Sequence, residues 1–585
     1  MFTPHTATLL DTLNDVAGLD QLIAEGTFGE LSGDVVSAVL EEAGRFAAEV
    51  IAPLNQAGDR HGCSLDTGSN EITTAPGWKD AYRQWVEAGW GSLPAPEEFG
   101  GQGLPTLVSL AVQELWNTAA NAYGIGTLLT QGAVEAIEEH ATDELKLRYL
   151  PKMVSGEWTG TMNLTEPQAG SDLSGVKTQA RANGDGSYSL TGTKIYITYG
   201  EHDLTDNIIH LVLARLPDAP EGTRGISLFL VPKFLLNEDG TPGKRNDVKC
   251  IGLEHKLGIH GSPTCTMRYG DGGGAIGWMV GEENRGLNCM FTLMNNARLH
   301  VGMQGVAIGE RAFQQALAFA QERKQGRRKG EREPMPIIAH PDVRRMLMDM
   351  KSKVHAARTI CFMCARAIDL SRQAETEDER QRQANLAALL TPVAKAFSTD
   401  VGVEVASDGV QIHGGMGYVE ETGAAQHLRD ARITPIYEGT NGIQALDLVT
   451  RKLPLEAGGT VEQLVSDMAE TASALGEQGQ ELAAAVKAFG STSRQLGKWL
   501  MEGDERAIAA ATPYLRQFGL TLGAYGLGKQ ALAARGRNAP DAAHKAQLFD
   551  YFSNVQLPQV AALATIISGG AGAIAHVSED VLAVS

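Results

Sequence analysis

A single carboxylate, Glu438, stands in the segment ARITPIYEGTNGIQALDLVTRKL, residues 431–453. Pro435, Ile436 and Tyr437 precede it and Gly439 follows. A helix is expected from Asn441 to Lys452, with Ile443, Leu446 and Val449 on one stripe. The carboxylate has two readings. It is a favourable charge at a helix N-terminus, contributing about 0.3–1 kcal/mol. Alternatively, apolar neighbours desolvate it, lift its pKa and make it a base for a weakly acidic proton. Helix geometry alone leaves both open.

Four other stretches carry side chains with chemistry, and each also has a plainer reading. MNLTEPQAGSDLSG (162–175) gathers Thr165, Glu166, Ser171 and Asp172 around Pro167 and Gly170. Such a loop offers backbone N–H groups and hydroxyls to a planar heteroaromatic or a phosphate, or is simply polar. KIYITYG sets Tyr196 and Thr198 on one side of a strand by period two. That pair stacks on a ring or packs in a core. AQERKQGRRKGERE places Arg323, Lys324, Arg327, Arg328, Lys329 and Arg332 within ten positions. These hold a pyrophosphate or lie solvated at a helix C-terminus. QIHGGMGYVEE offers Gln411, His413 and three glycines that let backbone approach a ligand or end a helix. Cys361 and Cys364 form a CxxC with no second pair, inside TICFMCARAIDL. They read as core residues of a helix, and no metal site is expected.

The elements that must position these groups follow from periodicity. Residues 1 to about 40 form a short helical lead-in, and the pattern from Ser37 to about Leu150 is helical, with a stop at Pro53. From about 160 to 285 the period changes to two. GSYSLTGTKIYITYG alternates about an expected Gly-Thr turn, and NIIHLVLARL and RGISLFLVPKFL read as strands. Helical spacing resumes near Asn288 and holds to Lys452, with one long helix broken on paper at Pro392. An Ala-rich helical region follows Pro454. The order gives an α+β multidomain chain: N-terminal helical domain with lead-in (1–160), central antiparallel β domain (161–285), helical-bundle domain (286–453) and extra C-terminal helical domain (454–585). HGGMG follows a helix, so the dinucleotide fingerprint fails its context.

The totals bound the function. A length of 585 residues implies two to four domains. A net charge of −20 argues against general nucleic-acid or membrane-surface binding. No window is expected to reach the roughly 18 apolar residues of a membrane span. The first basic residue is Arg45, unlike a signal or transit peptide. Six cysteines make no disulfide framework. A soluble, cytoplasmic protein is expected.

The ordered set LTEPQAGSD, KIYIT, NNAR, QERKQ, QIHGGMGY and RDARITPIYEGTNGIQ resembles the acyl-CoA dehydrogenase flavoprotein family over about residues 40–452. The C-terminal region resembles the subgroup with an extra helical domain. Within it, KIYITYGEHDLTDNIIHLVLARL is similar to bacterial enzymes of 3-(methylthio)propanoyl-CoA or medium-chain acyl-CoA. The resemblance implies FAD as cofactor, an acyl-CoA substrate, an electron-transfer flavoprotein as acceptor and a homodimer. It implies that Met162, Leu164 and Thr165 contact the flavin ring, and that Ser171 lies where flavin meets substrate. Tyr196 and Thr198 back the flavin, with Tyr196 where relatives usually carry Trp. Asn295 and Arg298 line the CoA side, with Asn295 where many relatives carry Asp. Arg323, Gln325, Gln411 and Gly415 reach the FAD of a partner subunit, with Gly326 replacing the family's Phe. Thr440 and Gly442 close over FAD, Tyr437 and Gly439 flank the substrate, and Glu438 is the base. Some relatives carry the base near Ala297, where an alanine cannot serve. The implied product is a trans-2-enoyl-CoA, with backbone N–H groups near Glu438–Thr440 polarising the thioester carbonyl. An oxidase using O2, a medium- or long-chain straight acyl-CoA dehydrogenase and a non-enzymatic helical scaffold are the competing readings.

Overall fold

Strands buried on both faces read as continuous apolar runs, and those on one face alternate. Both kinds occur in one eight-stranded sheet of the computed structural model, which describes residues 2–327, 330, 332–575 and 577–583. The expected roles of Arg328 and Lys329 fall outside the described residues, as does the side chain of Asn295. The chain divides into two units, each discontinuous in sequence. One comprises residues 45–105 and 115–297, the other 1–44, 106–114 and 298–585.

The first unit holds the sheet. Its strands are β1 (Trp158–Asn163), β2 (Gln179–Ala182), β3 (Tyr188–Thr198), β4 (Asn207–Ala214), β5 (Ser227–Pro232), β6 (Val248–Leu253), β7 (Thr264–Tyr269) and β8 (Ala275–Val280). The spatial order is β6-β7-β3-β8-β5-β4-β1, with β2 beside β3. The expectation of an antiparallel sheet holds except at one edge, where β1 runs parallel to β4. On β4 and β5, Ile209, Leu211, Leu213, Leu228 and Leu230 pack toward Ile137, Tyr149 and Leu150. Val212, Phe229 and Val231 face the opposite cluster with Leu190, Ile197 and Met267.

Two sequence expectations fail here for physical reasons. No turn forms at Gly192–Thr193; β3 runs unbroken for 11 residues. Gly192 is there because a Cβ would come 2.3 Å from Thr178 Oγ1, an approach no other residue permits. Plain alternation also stops. The partners of β7 slip between Ile197 and Lys194, which is a β-bulge. Tyr196 sits in the bulge at φ +60°, so the buried phase passes from Lys194 to Ile197. A short hairpin, Ser64–Asp66 with Glu71–Thr73, interrupts the expected all-helical stretch.

The second unit is helical. It includes α1 (Gly286–Glu322), whose residues from Arg298 belong to it, α2 (Pro341–Gln373), α3 (Glu377–His413), α4 (Asn441–Asp447) and α5 (Ala511–Gly536). Pro392 does not break α3, which is continuous for 37 residues. The expected helix to Lys452 keeps its length but changes form, because α4 passes into a π-helical turn at Leu448–Lys452. Its buried face is accordingly Gln444, Ala445, Leu448 and Val449, rather than a stripe through Ile443 and Leu446. Helices α1 and α3 meet at small residues. A Cβ on Gly302 would lie 2.5 Å from Ala394 O, and one on Gly305 would lie 2.4 Å from Ser398 O.

Among the described residues two helical stretches are long and apolar enough to cross a membrane, by length and composition alone. Glu377–Tyr418 is 78% buried over its most apolar window, as a core helix is. Ala542–Ala575 is 22% buried there and changes helix at Gln556–Leu557, before Pro558 at a helix start.

Candidate active site

Glu438 lies on a turn assembled by local hydrogen bonds. Ile436 N and Tyr437 N both donate to Ile433 O, and Asn441 N donates to Pro435 O at 2.9 Å. Pro435 lacks an N–H and suits such a bend. The cap of α4 is Thr440, whose hydroxyl accepts from Ile443 N at 3.3 Å. Glu438 is therefore not the helix cap. Its backbone is left-handed, φ +56°, as is that of Gly439, φ +82°. A non-glycine residue there costs about 1–2 kcal/mol, so the surroundings must over-determine the turn.

They do so from three helices. Gln444 Nε2 donates to Glu438 O and Gly439 O at 3.2 and 3.3 Å. Lys395 Nζ on α3 donates to Gly439 O at 2.9 Å. Tyr437 Oη donates to Gln304 Oε1 on α1. Arg298, also on α1, is buried and lies 4.0 Å from Asp447 on α4. Among the described residues none hydrogen-bonds the Glu438 carboxylate. Burial raises its pKa, opposed by the charges of Arg298 and Lys395.

The expected residues thus fall into distinct groups in this unit. Arg298, Tyr437, Glu438, Gly439, Thr440 and Gly442 gather about the turn. Arg323 and Gln325 follow the far end of α1, about 37 Å along the helix from Arg298 at 1.5 Å per residue. Gln411 closes α3, and Phe319 stacks on His413 with ring centroids 4.4 Å apart, so these two helix ends come together. Arg323, Gln325, Gln411 and Gly415 are all exposed. His413 is a packed histidine, its Nδ1 2.7 Å from Gly409 O. At Gly326, φ +75°, a Cβ would lie 3.0 Å from the His340 ring, which accounts for glycine there.

In the sheet unit, Met162 is buried on β1, Leu164 and Thr165 are half-buried, and Ser171 is exposed. Tyr196 is 62% exposed and Thr198 half-buried. The loop and the bulge are strapped together. Ile195 N donates to Thr165 O at 2.9 Å, and Lys194 Nζ donates to Leu164 O at 3.0 Å and Glu166 Oε1 at 2.9 Å. Glu166 also accepts from Lys177 N, Thr178 N, Thr178 Oγ1 and Gln168 Nε2. Although burial opposes ionisation, Lys194 and these donors hold its carboxyl down to about 2. Sequence alone gives Glu166 only as a loop acid and does not mark Lys194 as its partner. A lysine alternating into the buried phase of β3 was the available signal. Lys395, one charge within the apolar run AALLTPVAKAF, was the equivalent signal on α3.

A carboxyl of raised pKa on a rigid turn in the helical unit is chemistry of the class of proton-abstracting enzymes, and the sheet unit separately carries a braced polar loop and an exposed aromatic ring. Comparison with known proteins gives the class its family. Four family descriptions match in order: acyl-CoA dehydrogenase N-terminal domain (36–157), middle domain (161–271) and C-terminal domain (284–453), then acetyl-CoA dehydrogenase C-terminal like (460–578). The chain belongs to the acyl-CoA dehydrogenase family and is an FAD-dependent oxidoreductase of acyl-CoA thioesters. It is 47% identical over 523 residues to 3-methylmercaptopropionyl-CoA dehydrogenase of Ruegeria pomeroyi, covering 88% of each chain. It is 35% identical to a butyryl-CoA dehydrogenase of Syntrophomonas wolfei, covering 80% of this chain and 79% of that one. Caenorhabditis elegans ACDH-11, solved with C11-CoA, shares the fold at a TM-score of 0.76 and 21% identity, over 93% of this chain and 91% of that one.

Proposed function

We propose that Glu438 is the base that removes the α-proton of an acyl-CoA thioester, and that the acyl group is 3-(methylthio)propanoyl. The observation that carries the first part is a carboxyl lifted by burial, free of hydrogen bonds from the described residues, on a backbone that cannot relax. Such a base is poised to take a weakly acidic C–H proton near neutral pH. FAD, when bound, would supply the acceptor for the β-hydrogen and its electron pair, so that loss of the α-proton leaves a trans α,β-double bond. The Glu438 carboxylate receives the α-proton. We assign the peptide N–H groups near Glu438–Thr440, at a helix start, to the developing negative charge of the thioester oxygen.

The residues present fit FAD. Thr165 and Ser171 supply hydroxyls, the exposed Tyr196 ring supplies a stacking face, and Arg323 supplies a guanidinium for pyrophosphate. We assign Met162, Leu164, Thr165, Ser171, Tyr196 and Thr198 to the flavin side, and Thr440 and Gly442 to its phosphate side. Arg298, Tyr437 and Gly439 are assigned to substrate. The separation of Arg323, Gln325, Gln411 and Gly415 from the base turn along α1 supports their serving FAD in a second chain of a homodimer. An electron-transfer flavoprotein as acceptor and a cytoplasmic location complete the reading, with the domain divisions after residues 160, 285 and 453.

Support for the sulfur substrate is the 47% relative. A thioether replaces a methylene with little change in volume, so straight-chain acyl groups, favoured by the butyryl-CoA dehydrogenase relative, are the competing reading. Anaerobic titration of the yellow protein with 3-(methylthio)propanoyl-, butanoyl-, octanoyl- and palmitoyl-CoA decides between them. Fastest flavin bleaching by the first supports the proposal, and fastest bleaching by another overturns its substrate. Glu438→Gln is expected to keep fold and flavin and lose about 10³-fold or more in flavin reduction, within or above the usual contribution of a general base. Near-normal reduction removes Glu438 from the role.

A further inference from the structure

The turn that carries Glu438 rests on a buried lysine that the reaction above does not use. Lys395 is fully buried on α3. Its ammonium donates to Gly439 O and to Asn441 Oδ1, both at 2.9 Å. Asn441 is held in turn by α3, because its Nδ2 donates to Ala396 O at 3.1 Å, Thr399 Oγ1 at 3.0 Å and Asp400 Oδ1 at 2.7 Å. One cation therefore bridges the residue after the base and the first residue of α4.

We propose that Lys395 is a positioning residue for the reaction: its bond to Gly439 O fixes the left-handed Glu438–Gly439 backbone, and its charge keeps the Glu438 carboxyl ionised. This rests on reading Glu438 as the base. The geometry requires a long cation with two donors here. A carbonyl and an amide oxygen converge on the ammonium, and among the described residues no other side chain of α3 bonds the Glu438–Gly439 backbone. Burial lowers the Lys395 ammonium to about 7, against the opposing charges of Glu438 and Asp400, while Arg298 adds to the lowering. Glu438 is faced by Arg298 from α1 and Lys395 from α3. Arg298 is faced by Asp447 and Arg451 beyond α4's first turn. Asp400 is faced by Arg516 of α5 and by Glu404. Lys395 and Glu438 thus titrate against one another. Below the lysine's pKa its charge favours the carboxylate; above it that help is withdrawn.

The test uses flavin-loaded Lys395→Met, read by single-turnover flavin reduction against pH. Difference infrared titration of the Glu438 carboxyl in the oxidised protein, its band identified by absence from Glu438→Gln, gives a second reading. Loss of a nearby opposite charge shifts a carboxyl by about 1–3 pH units. The expected result is an acid limb and an infrared midpoint both moved upward by about one unit, and at least a tenfold slower plateau from the loosened turn. Lys395→Arg, which keeps charge and donors, is expected to return the midpoint toward that of the wild type. An unshifted infrared midpoint with a normal plateau in folded Lys395→Met overturns the proposal. If that variant does not fold, Asn441→Ala removes the lysine's second acceptor. It is expected to move the midpoint upward by less, and no movement overturns the proposal. Wild-type flavin reduction in Glu438→Gln defeats the base assignment instead, whatever Lys395→Met does.

Discussion

Replacing Lys194 by Met tests whether the polar loop of the sheet unit owes its shape to the buried ion pair. Lys194 and Glu166 side chains are 0% and 3% exposed, with Nζ and Oε1 2.9 Å apart. Methionine keeps the length of the apolar stem, so packing changes little, and the loss is that of a buried cation. Removing one partner of such a pair costs about 3–5 kcal/mol, because the remaining charge is left uncompensated. Glu166 keeps four other donors, from Lys177, Thr178 and Gln168, which places the loss at the lower end, about 3 kcal/mol. For a unit of this size that corresponds to about 6–12 °C in Tm. Six of the seven tryptophans, all but Trp499, belong to this unit, so intrinsic fluorescence reports its melting selectively. FAD affinity is expected to fall with it, since Leu164 O loses its donor. The sign with pH follows from Glu166, whose folded pKa of about 2 lies below the ordinary 4.5. Its stabilisation is present above about 4.5 and is lost as pH falls toward 2. In Lys194→Met the folded pKa rises toward the ordinary value, so that loss ends at a higher pH and is smaller. The double variant Lys194→Met with Glu166→Gln, which leaves no lone charge, is expected to regain part of the stability. A fluorescence Tm within about 2 °C of wild type for the single variant, with unaltered flavin affinity, refutes the reasoning.

Two further outcomes follow from the helical unit. Because the Glu438 carboxyl is raised, the rate of flavin reduction is expected to fall as pH decreases through a midpoint above 4.5, in stopped-flow traces at saturating acyl-CoA. A midpoint below 4.5 contradicts the desolvated base. Gly305→Val forces a Cβ to within 2.4 Å of Ser398 O. It is expected to lose at least about 1–3 kcal/mol by overpacking, and to slow flavin reduction by displacing α3 from the turn, as measured by denaturant unfolding and single turnover.

The base role proposed for Glu438 rests on the family resemblance, whereas the turn that carries it was visible from residue order alone, because Pro435, Gly439 and Asn441 punctuate the chain where it bends. The long helices and the strands of β4 and β5 were visible for the same reason: their periods are carried by apolar residues that pack as the periods imply. What escaped was set by tertiary contact. Gly192 looked like a turn residue, but it is small because Thr178 lies against it. The bulge at Tyr196 leaves no mark in the alternation until the register of β7 is known. Pro392 looked like a break, yet the packing around α3 carries the helix through it. The fate of Lys395 and Lys194 depended on finding carbonyl and carboxylate oxygens far away in sequence, which single-residue reading does not supply.

Helix α3 also works as a ruler. Lys395 and Gln411 are 16 positions apart on one continuous rod, about 24 Å at 1.5 Å per residue. The same rod grips the carboxyl-bearing turn at one mark and presents the proposed cross-chain FAD contact at the other. Rotation or sliding of α3 cannot be absorbed by one mark alone. The interval between the proposed proton removal in one chain and the proposed cofactor support for its neighbour is thereby built into a single covalent element.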